Sequence, residues 1–257
     1  MNIILIGAGN LATNLAKALV KAGHTIPQVF SRTQASAQAL AEQIGAQPTT
    51  DLDALGHDAD AYVLSIKDSA LRDVASRVCK GHTQGVFVHT AGSMPLDVFA
   101  GKAQHYGVLY PMQTFSKSRE VDFSVIPTFV EWNDDQAKAM VSALAESISR
   151  RVFNLSSADR KYLHLAAVWA CNFANHCFDI SAEILEQHHI PFNVMLPLID
   201  ETAAKVHSLS PRDAQTGPAV RYDENVIGAQ AELLASNPQL QHLYLELSKS
   251  IHERRKG

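Results

Sequence analysis

The 257-residue sequence is 46% hydrophobic and 19% charged, with a formal net charge of −4. This composition suits a globular protein with a sizeable core, offers no broad basic footprint for nucleic acid and gives little attraction to an anionic membrane surface. No apolar run reaches the roughly 18 residues of a membrane span, and the run at 3–6 is too short for a signal peptide.

The first half of the chain alternates short β-like runs with helical stretches. Residues 2–6 read as a strand and 11–21 as a helix, then 26–31 as a strand and 35–43 as a helix ended by Gly45. A buried strand at 61–65 precedes a helix at about 69–79, and further strands are expected at 86–89, 107–110 and 126–132. A helix at 134–149 and a strand at 151–155 complete the series. Such alternation predicts an α/β domain over 1–155 with a mostly parallel, doubly wound sheet.

Beyond Leu155 the pattern becomes helical. Ser156-Ser157-Ala158-Asp159 has the hydroxyl-then-acid spacing of a helix start, and an apolar helical stretch follows to about Gln187. Pro191, Pro197, Pro211 and Pro218 punctuate shorter segments, and Asp223 caps a helix expected to reach Ala235. Asn237-Pro238 opens a last helix whose apolar stripe is Leu240, Leu243, Tyr244, Leu247 and Ile251, with Arg254-Arg255-Lys256 as its solvated end. Residues 156–257 are therefore expected to form an all-α domain.

The turn after the first strand reads G-x-G-x-x-A: Gly7, Gly9 and Ala12, with Asn10 and Leu11 opening the helix. One glycine makes the tight turn, the second admits pyrophosphate to the backbone, and the small third residue lets helix and strand pack. The helix N-terminus then offers free N–H groups to an anion. At the end of the second strand, an NAD site would place an acid against the ribose 2′-hydroxyl. Ser31-Arg32-Thr33 stands there instead, and a guanidinium between hydroxyls suits the 2′-phosphate of NADP.

Loops at strand C-termini line the ligand crevice of such sheets. This places Ser65 and Lys67, with Asp68 and Ser69 as alternative helix caps, beside the cofactor. His89 belongs with the cofactor and Ser93 with a substrate, and Tyr110 and Gln113 join Ser93 there. For His89 and Gln113 a purely structural role is an equal alternative. Arg221, after the Thr216-Gly217-Pro218 turn, suits a substrate carboxylate or phosphate as well as a structural pair with an acid.

Lys161, His164, Asn172 and Asn175 form a polar stripe in the long helical stretch. At ~100° per residue Asn172 projects roughly 20° from Lys161, and His164 and Asn175 fall within about 60°. Asparagine and histidine are poor choices for a merely solvated helix face. Lys161 or His164 can supply the donor or proton that carbonyl or imine reduction needs, and Asn172 and Asn175 can orient a substrate. No metal is expected, because the 12 histidines show no H-E-x-x-H spacing. Cys79, Cys171 and Cys177 make neither a metal motif nor an even disulfide set, which suggests a reduced, cytoplasmic protein.

G-A-G-N-L-A at 7–12, S-R-T at 31–33, H-T-A-G-S at 89–93 and Y-P-M-Q-T-F at 110–115 resemble the Rossmann-like proteins that carry a C-terminal DUF2520 region. So do K-Y-L-H-L-A-A-V at 161–168, N-F-A-N-H at 172–176 and T-G-P-A-V-R-Y-D at 216–223. These proteins are distantly similar to pyrroline-5-carboxylate reductase, ketopantoate reductase, the β-hydroxyacid dehydrogenases and F420-dependent NADP reductases. The resemblance implies an NADP-binding domain followed by a helical domain that builds a homodimer. Where the β-hydroxyacid dehydrogenases carry an asparagine four residues after their helical lysine, Leu165 follows Lys161 here, so Lys161 and Asn172 are analogues only by helical face. The expectation is an NADP-dependent oxidoreductase acting on a small polar carbonyl, imine or hydroxy compound at an interdomain cleft. A non-catalytic NADP-binding or redox-sensing protein is the alternative.

Overall fold

A computed structural model describes residues 1–81 and 84–256. Eight strands form one sheet: β1 (Asn2–Ile6), β2 (Thr25–Phe30), β3 (Gln47–Thr49), β4 (Ala61–Leu64), β5 (Val86–His89), β6 (His105–Pro111), β7 (Thr128–Trp132) and β8 (Val152–Asn154). Their order is β3-β2-β1-β4-β5-β6-β7-β8. Every neighbouring pair is parallel except β6 and β7. This is a Rossmann-like α/β fold followed by helices. The sequence pattern did not single out β3, a three-residue edge strand (Gln47–Thr49) with no buried position.

Strand residues alternate between two cores, as the period of two requires. Ile3, Leu5, Val63 and Val88 pack with Leu15 and Leu19 of α1 (Asn10–Lys21) and with Val141 and Leu144 of α4 (Asp135–Ile148). Ile4, Ile6, Tyr62, Leu64 and Phe87 face the other way, against Leu71, Ala75 and Val78 of α3 (Asp68–Val78). The remaining helix of this alternating part is α2 (Gln34–Ile44), started by the Thr33 side chain and stopped by Gly45.

After β8 come α5 (Ser157–Ala167), a π-helical stretch (Val168–Phe173) and α6 (Ala174–Gln187). Ser156 caps α5 by accepting from Asp159 N–H. The chain then forms α7 (Leu196–Lys205), the single turns α8 (Pro211–Ala214) and α9 (Pro218–Arg221), α10 (Glu224–Glu232) and α11 (Pro238–Lys256). Arg254 and Arg255 are exposed, and the Lys256 side chain lies outside the described residues. Two compact units result, Met1–His176 and Cys177–Gly257. The second packs α11 against α9 and α10 and buries Ala219, Ile227 and Ala231.

Arg160 is the only buried residue of α5. Its guanidinium donates to Glu131 of β7 at 2.6 Å, to the Met94 carbonyl at 2.7 Å and to Ser157 Oγ at 3.2 Å. Glu131 also accepts from Ser157 N–H and Oγ–H, and Ser157 Oγ accepts from Leu96 N–H. One ion pair, with its guanidinium buried and its carboxylate partly so, thus ties α5 to β7 and to the loop after β5. Removing one partner of such a pair leaves a desolvated charge without its counterion. Glu131→Gln should therefore lower unfolding free energy by on the order of 3 kcal/mol in urea titration; a loss no larger than that of an exposed pair would show that the clamp does not hold α5.

His89, at the end of β5, is fully buried. Its Nε2–H donates to the Pro95 carbonyl and its Nδ1 accepts from Ala91 N–H. Burial, reinforced by the Arg160 charge, pushes the imidazole down to about 3. The unfolded ring takes up a proton below about 6.5, so between these values the unfolded chain binds more protons than the native one. Stability should fall as pH is lowered through that window, by up to about 1.4 kcal/mol per pH unit from this residue. His24, shifted down chiefly by burial, adds in the same sense. His89→Gln should flatten the dependence of the urea midpoint between pH 6.5 and 4.5 relative to wild type; parallel curves would contradict the assignment.

Candidate functional site

The turn after β1 is shaped by a contact that only glycine permits. Gly7 has φ of 124°, and a Cβ there would lie 2.1 Å from the Ser65 carbonyl oxygen. Its N–H donates to the Phe30 carbonyl, so the turn is seated between β2 and the end of β4. Gly9 is the reverse case: nothing lies within 4 Å of where its Cβ would be. It is the N-cap of α1, makes no side-chain cap, and no acid stands in the first turn. The first N–H groups of a helix lack partners within it, so this open end offers donors of the kind that bind anions. Ala12 beneath it is fully buried, which brings helix and strand close together.

Ser31-Arg32-Thr33 leaves β2 beside this turn, because Phe30 pairs with Ile6. Ser31 N–H donates to the Thr49 carbonyl. The Thr33 hydroxyl caps α2 through Ser36. Arg32 is exposed and makes no ion pair among the described residues. The cradle thus fits a phosphorylated dinucleotide: an open backbone at Gly9, an uncapped helix end and an uncommitted guanidinium.

A cavity of about 770 Å³ runs from this turn along the C-terminal ends of β1, β4, β5 and β6. Its lining comes from four strand-end segments, at 9–12, 65–68, 90–92 and 110–115, and from the helical stretch between Leu163 and Asn172. It lies where successive strands leave in opposite directions from β1, the place where open α/β sheets take ligands. Asn14, buried in α1, donates to the Ser116 carbonyl and holds the loop after β6 against that helix.

Of the residues expected at a site, Gly9, Asn10, Leu11, Ser65, Lys67, Tyr110, Gln113, His164 and Asn172 line this cavity. Gly7 lies buried under the turn. Lys161 and Asn175 are exposed and lie off the cavity lining, and the Lys161 ammonium sits 5.0 Å from the Tyr162 ring centroid. The π-helical stretch bears only on the later pair: i→i+5 bonding puts more residues in each turn, so the constant ~100° step does not carry Asn172 and Asn175 across Val168–Phe173. Lys161 and His164 both precede it on α5, where they stand about 60° apart in projection. His89 is also off the lining, with both ring nitrogens spent inside the protein. Ser93 donates to the carboxylate of Asp68, which lines the cavity. Arg221 ends α9 in the second unit.

Tyr110, His164 and the loop glycine were expected near the site, but neither the contact between the two rings nor Arg160 behind them was foreseen. The Tyr110 hydroxyl and His164 Nδ1 are 3.0 Å apart, with the rings edge to face. Gly92 makes room for them, since a Cβ there would fall 2.6 Å from His164 Nδ1 and 2.7 Å from Tyr110 Cζ. Arg160 stands one helical turn before His164. Burial raises the Tyr110 hydroxyl above its ordinary value, Arg160 opposes that rise and Asp68 adds to it. The glycine of H-T-A-G-S was a visible signal, whereas the buried arginine carried none. Among the described residues no group of three or more His, Cys, Asp or Glu gathers as a metal site, and no helix is long and apolar enough to cross a membrane.

Residues 2–90 match the family profile described as NADP oxidoreductase coenzyme F420-dependent, and residues 126–251 match the domain of unknown function DUF2520. No curated protein sequence matches the chain. Among solved structures, the Bacteroides fragilis protein named "putative NADP oxidoreductase BF3122" is 54% identical, with 98% of each chain covered and a TM-score of 0.95. Protein TM1727 of Thermotoga maritima shares 22% identity over 99% of this chain and 100% of its own, at a TM-score of 0.82. The 1-pyrroline-5-carboxylate reductase of Streptococcus pyogenes shares 18% over 97% and 98%, at 0.66; these last two show a common fold. Identity over nearly the whole of both chains makes this protein a member of the Bacteroides protein's family, in which an NADP oxidoreductase-type nucleotide-binding region precedes a DUF2520 region.

Proposed function

We propose that this protein is an NADP-dependent oxidoreductase that moves hydride to or from a small polar carbonyl, imine or hydroxy compound in the 770 Å³ cavity. The observation that carries this reading is the continuity of the site. The open Gly9 turn and uncapped α1 lead directly into a cavity that also holds Tyr110, His164, Asn172 and Asp68. In this reading the backbone of Gly9, Asn10 and Leu11 holds the pyrophosphate, and Arg32, with Ser31 at its side, takes the 2′-phosphate. Lys67 and Ser65 border the cofactor's middle. The bound nicotinamide supplies or accepts the hydride. Asn172 and Gln113 orient the substrate by hydrogen bonds, and the alanines at 166, 167 and 170 form an apolar wall beside it.

Arg32→Ala tests the cofactor assignment. Loss of a charge-assisted bond to phosphate should weaken NADPH binding roughly 10- to 100-fold, while NADH binding stays within about threefold. Equal weakening of both, in fluorescence titrations, would remove Arg32 from the 2′-phosphate.

The same reading includes a homodimer built on the helical region. Tyr162, Leu165, Trp169 and Phe173 expose apolar surface on α5 and the π-helical stretch, with Trp169 61% exposed and packed edge to face on Phe173. α6 buries none of its residues within the chain. Apolar helix faces of this kind mark association surfaces, and a second copy covers them in a dimer. Free Cys79, Cys171 and Cys177 suit the reducing cytoplasm as its setting. Light scattering should give about twice the 28.0 kDa chain mass, and Trp169→Asp should shift the population toward monomer; a wild-type monomer at micromolar concentration would refute the dimer.

A further inference from the structure

We propose that Tyr110 and His164 form the proton-donating pair of this site, with Tyr110 delivering the proton to the substrate heteroatom and His164 restoring it. This rests on the reading of the cavity as a reductase site. The titratable side chains among the cavity-lining residues are Lys67, Asp68, Tyr110, His164 and Cys171. Lys67 is the N-cap residue of α3, and Asp68 already accepts from Ser93. Lys161 lies over Tyr162 rather than in the cavity. Tyr110 and His164 are the two that touch each other, at 3.0 Å, while both still face the cavity.

Their surroundings are arranged for that contact. Tyr110 comes from β6, His164 from α5 and Gly92 from the loop after β5, so three separate elements converge on one hydrogen bond. Gly92 has an ordinary negative-φ or extended backbone, not one of the positive-φ glycines. Its missing Cβ is therefore explained by the space the pair occupies. Arg160, fixed by Glu131, places a buried positive charge close enough to the phenol to favour its ionised form. The charged groups around the phenol are thus Arg160 and Asp68, of opposite sign.

The step balances without any further reagent. A reduced nicotinamide, when bound, would supply hydride to the carbon of C=O or C=N, breaking the π bond and sending its electron pair to oxygen or nitrogen. That atom takes the proton of Tyr110 Oη–H. The phenolate left behind takes a proton from the imidazolium Nδ1–H of His164, and solvent reprotonates His164. The substrate gains two hydrogens in total, and the nicotinamide is oxidised. In the reverse direction Tyr110 accepts the proton of an alcohol or amine.

Two measurements test this. In ¹⁵N-histidine NMR of the protein without added nucleotide, Tyr110→Phe and Gly92→Ala should both move the Nδ1 resonance of His164. Unchanged shifts would mean that the pair does not exist in solution. NADPH oxidation is then followed with glyoxylate, glycolaldehyde and 1-pyrroline as keto-acid, aldehyde and imine probes. Tyr110→Phe and His164→Gln should lower kcat by roughly 10²- to 10⁴-fold, with NADPH affinity within about threefold of wild type. Turnover that survives Tyr110→Phe overturns the proton role alone. Absence of NADPH oxidation with all three probes, in protein that binds NADPH, overturns the reductase reading and the proton role with it.

Discussion

A single guanidinium sets the position of the helical wall of the cavity. Arg160 is the one residue that α5 buries, and it satisfies Glu131, Ser157 and the Met94 carbonyl at once. An apolar anchor would have fixed depth without direction. A planar cation whose two Nη groups are hydrogen-bonded fixes both, because each bonded donor must meet its acceptor along its own axis, while the buried Nε has no hydrogen-bond partner among the described residues. His164 lies one helical turn further along the same helix, so the clamp that orients Arg160 also orients the imidazole. Buried ion pairs contribute little net stability compared with a well-packed apolar isostere. Their use here is consistent with a requirement for a defined helix orientation.

The same charge reaches two other groups in opposite ways. It helps keep His89 neutral, which suits a ring that must donate from one nitrogen and accept at the other to hold the loop from Ala91 to Pro95. It also opposes the effect of burial on Tyr110. The loop carrying Gly92 is thus shaped from below by a neutral histidine, and above it the tyrosine and the second histidine meet. A region that looked in the sequence like one polar motif, H-T-A-G-S, divides into a structural residue, a space-making glycine and a serine that holds Asp68.

The helical stretch shows how a sound local rule can lose its reach. A constant angular step aligned Lys161, His164, Asn172 and Asn175 on one stripe. The structure brings His164 and Asn172 to the cavity but not Lys161 or Asn175. The π-helical stretch alters the step only for the last two; Lys161 and His164 share regular α5 and stand about 60° apart on it. Nothing in V-W-A-C-N-F announces an i→i+5 pattern.

Features written in short-range chemistry were legible from the residues alone. Strand and helix order apart from β3, the Gly7 turn, the Ser156 cap, the Gly45 stop and the absence of an acid after β2 all depend on residues within a few positions of one another. Periodicity and backbone sterics are local, so they survive without knowledge of the fold. Tertiary structure decided the rest: the antiparallel turn at β7, the marriage of Arg160 to Glu131, the burial of His89 and the meeting of Tyr110 with His164. Each joins residues far apart in the chain. Whether a polar side chain is solvated, buried or aimed into a cavity is set by what the other elements bring to it, and no local pattern contains that information.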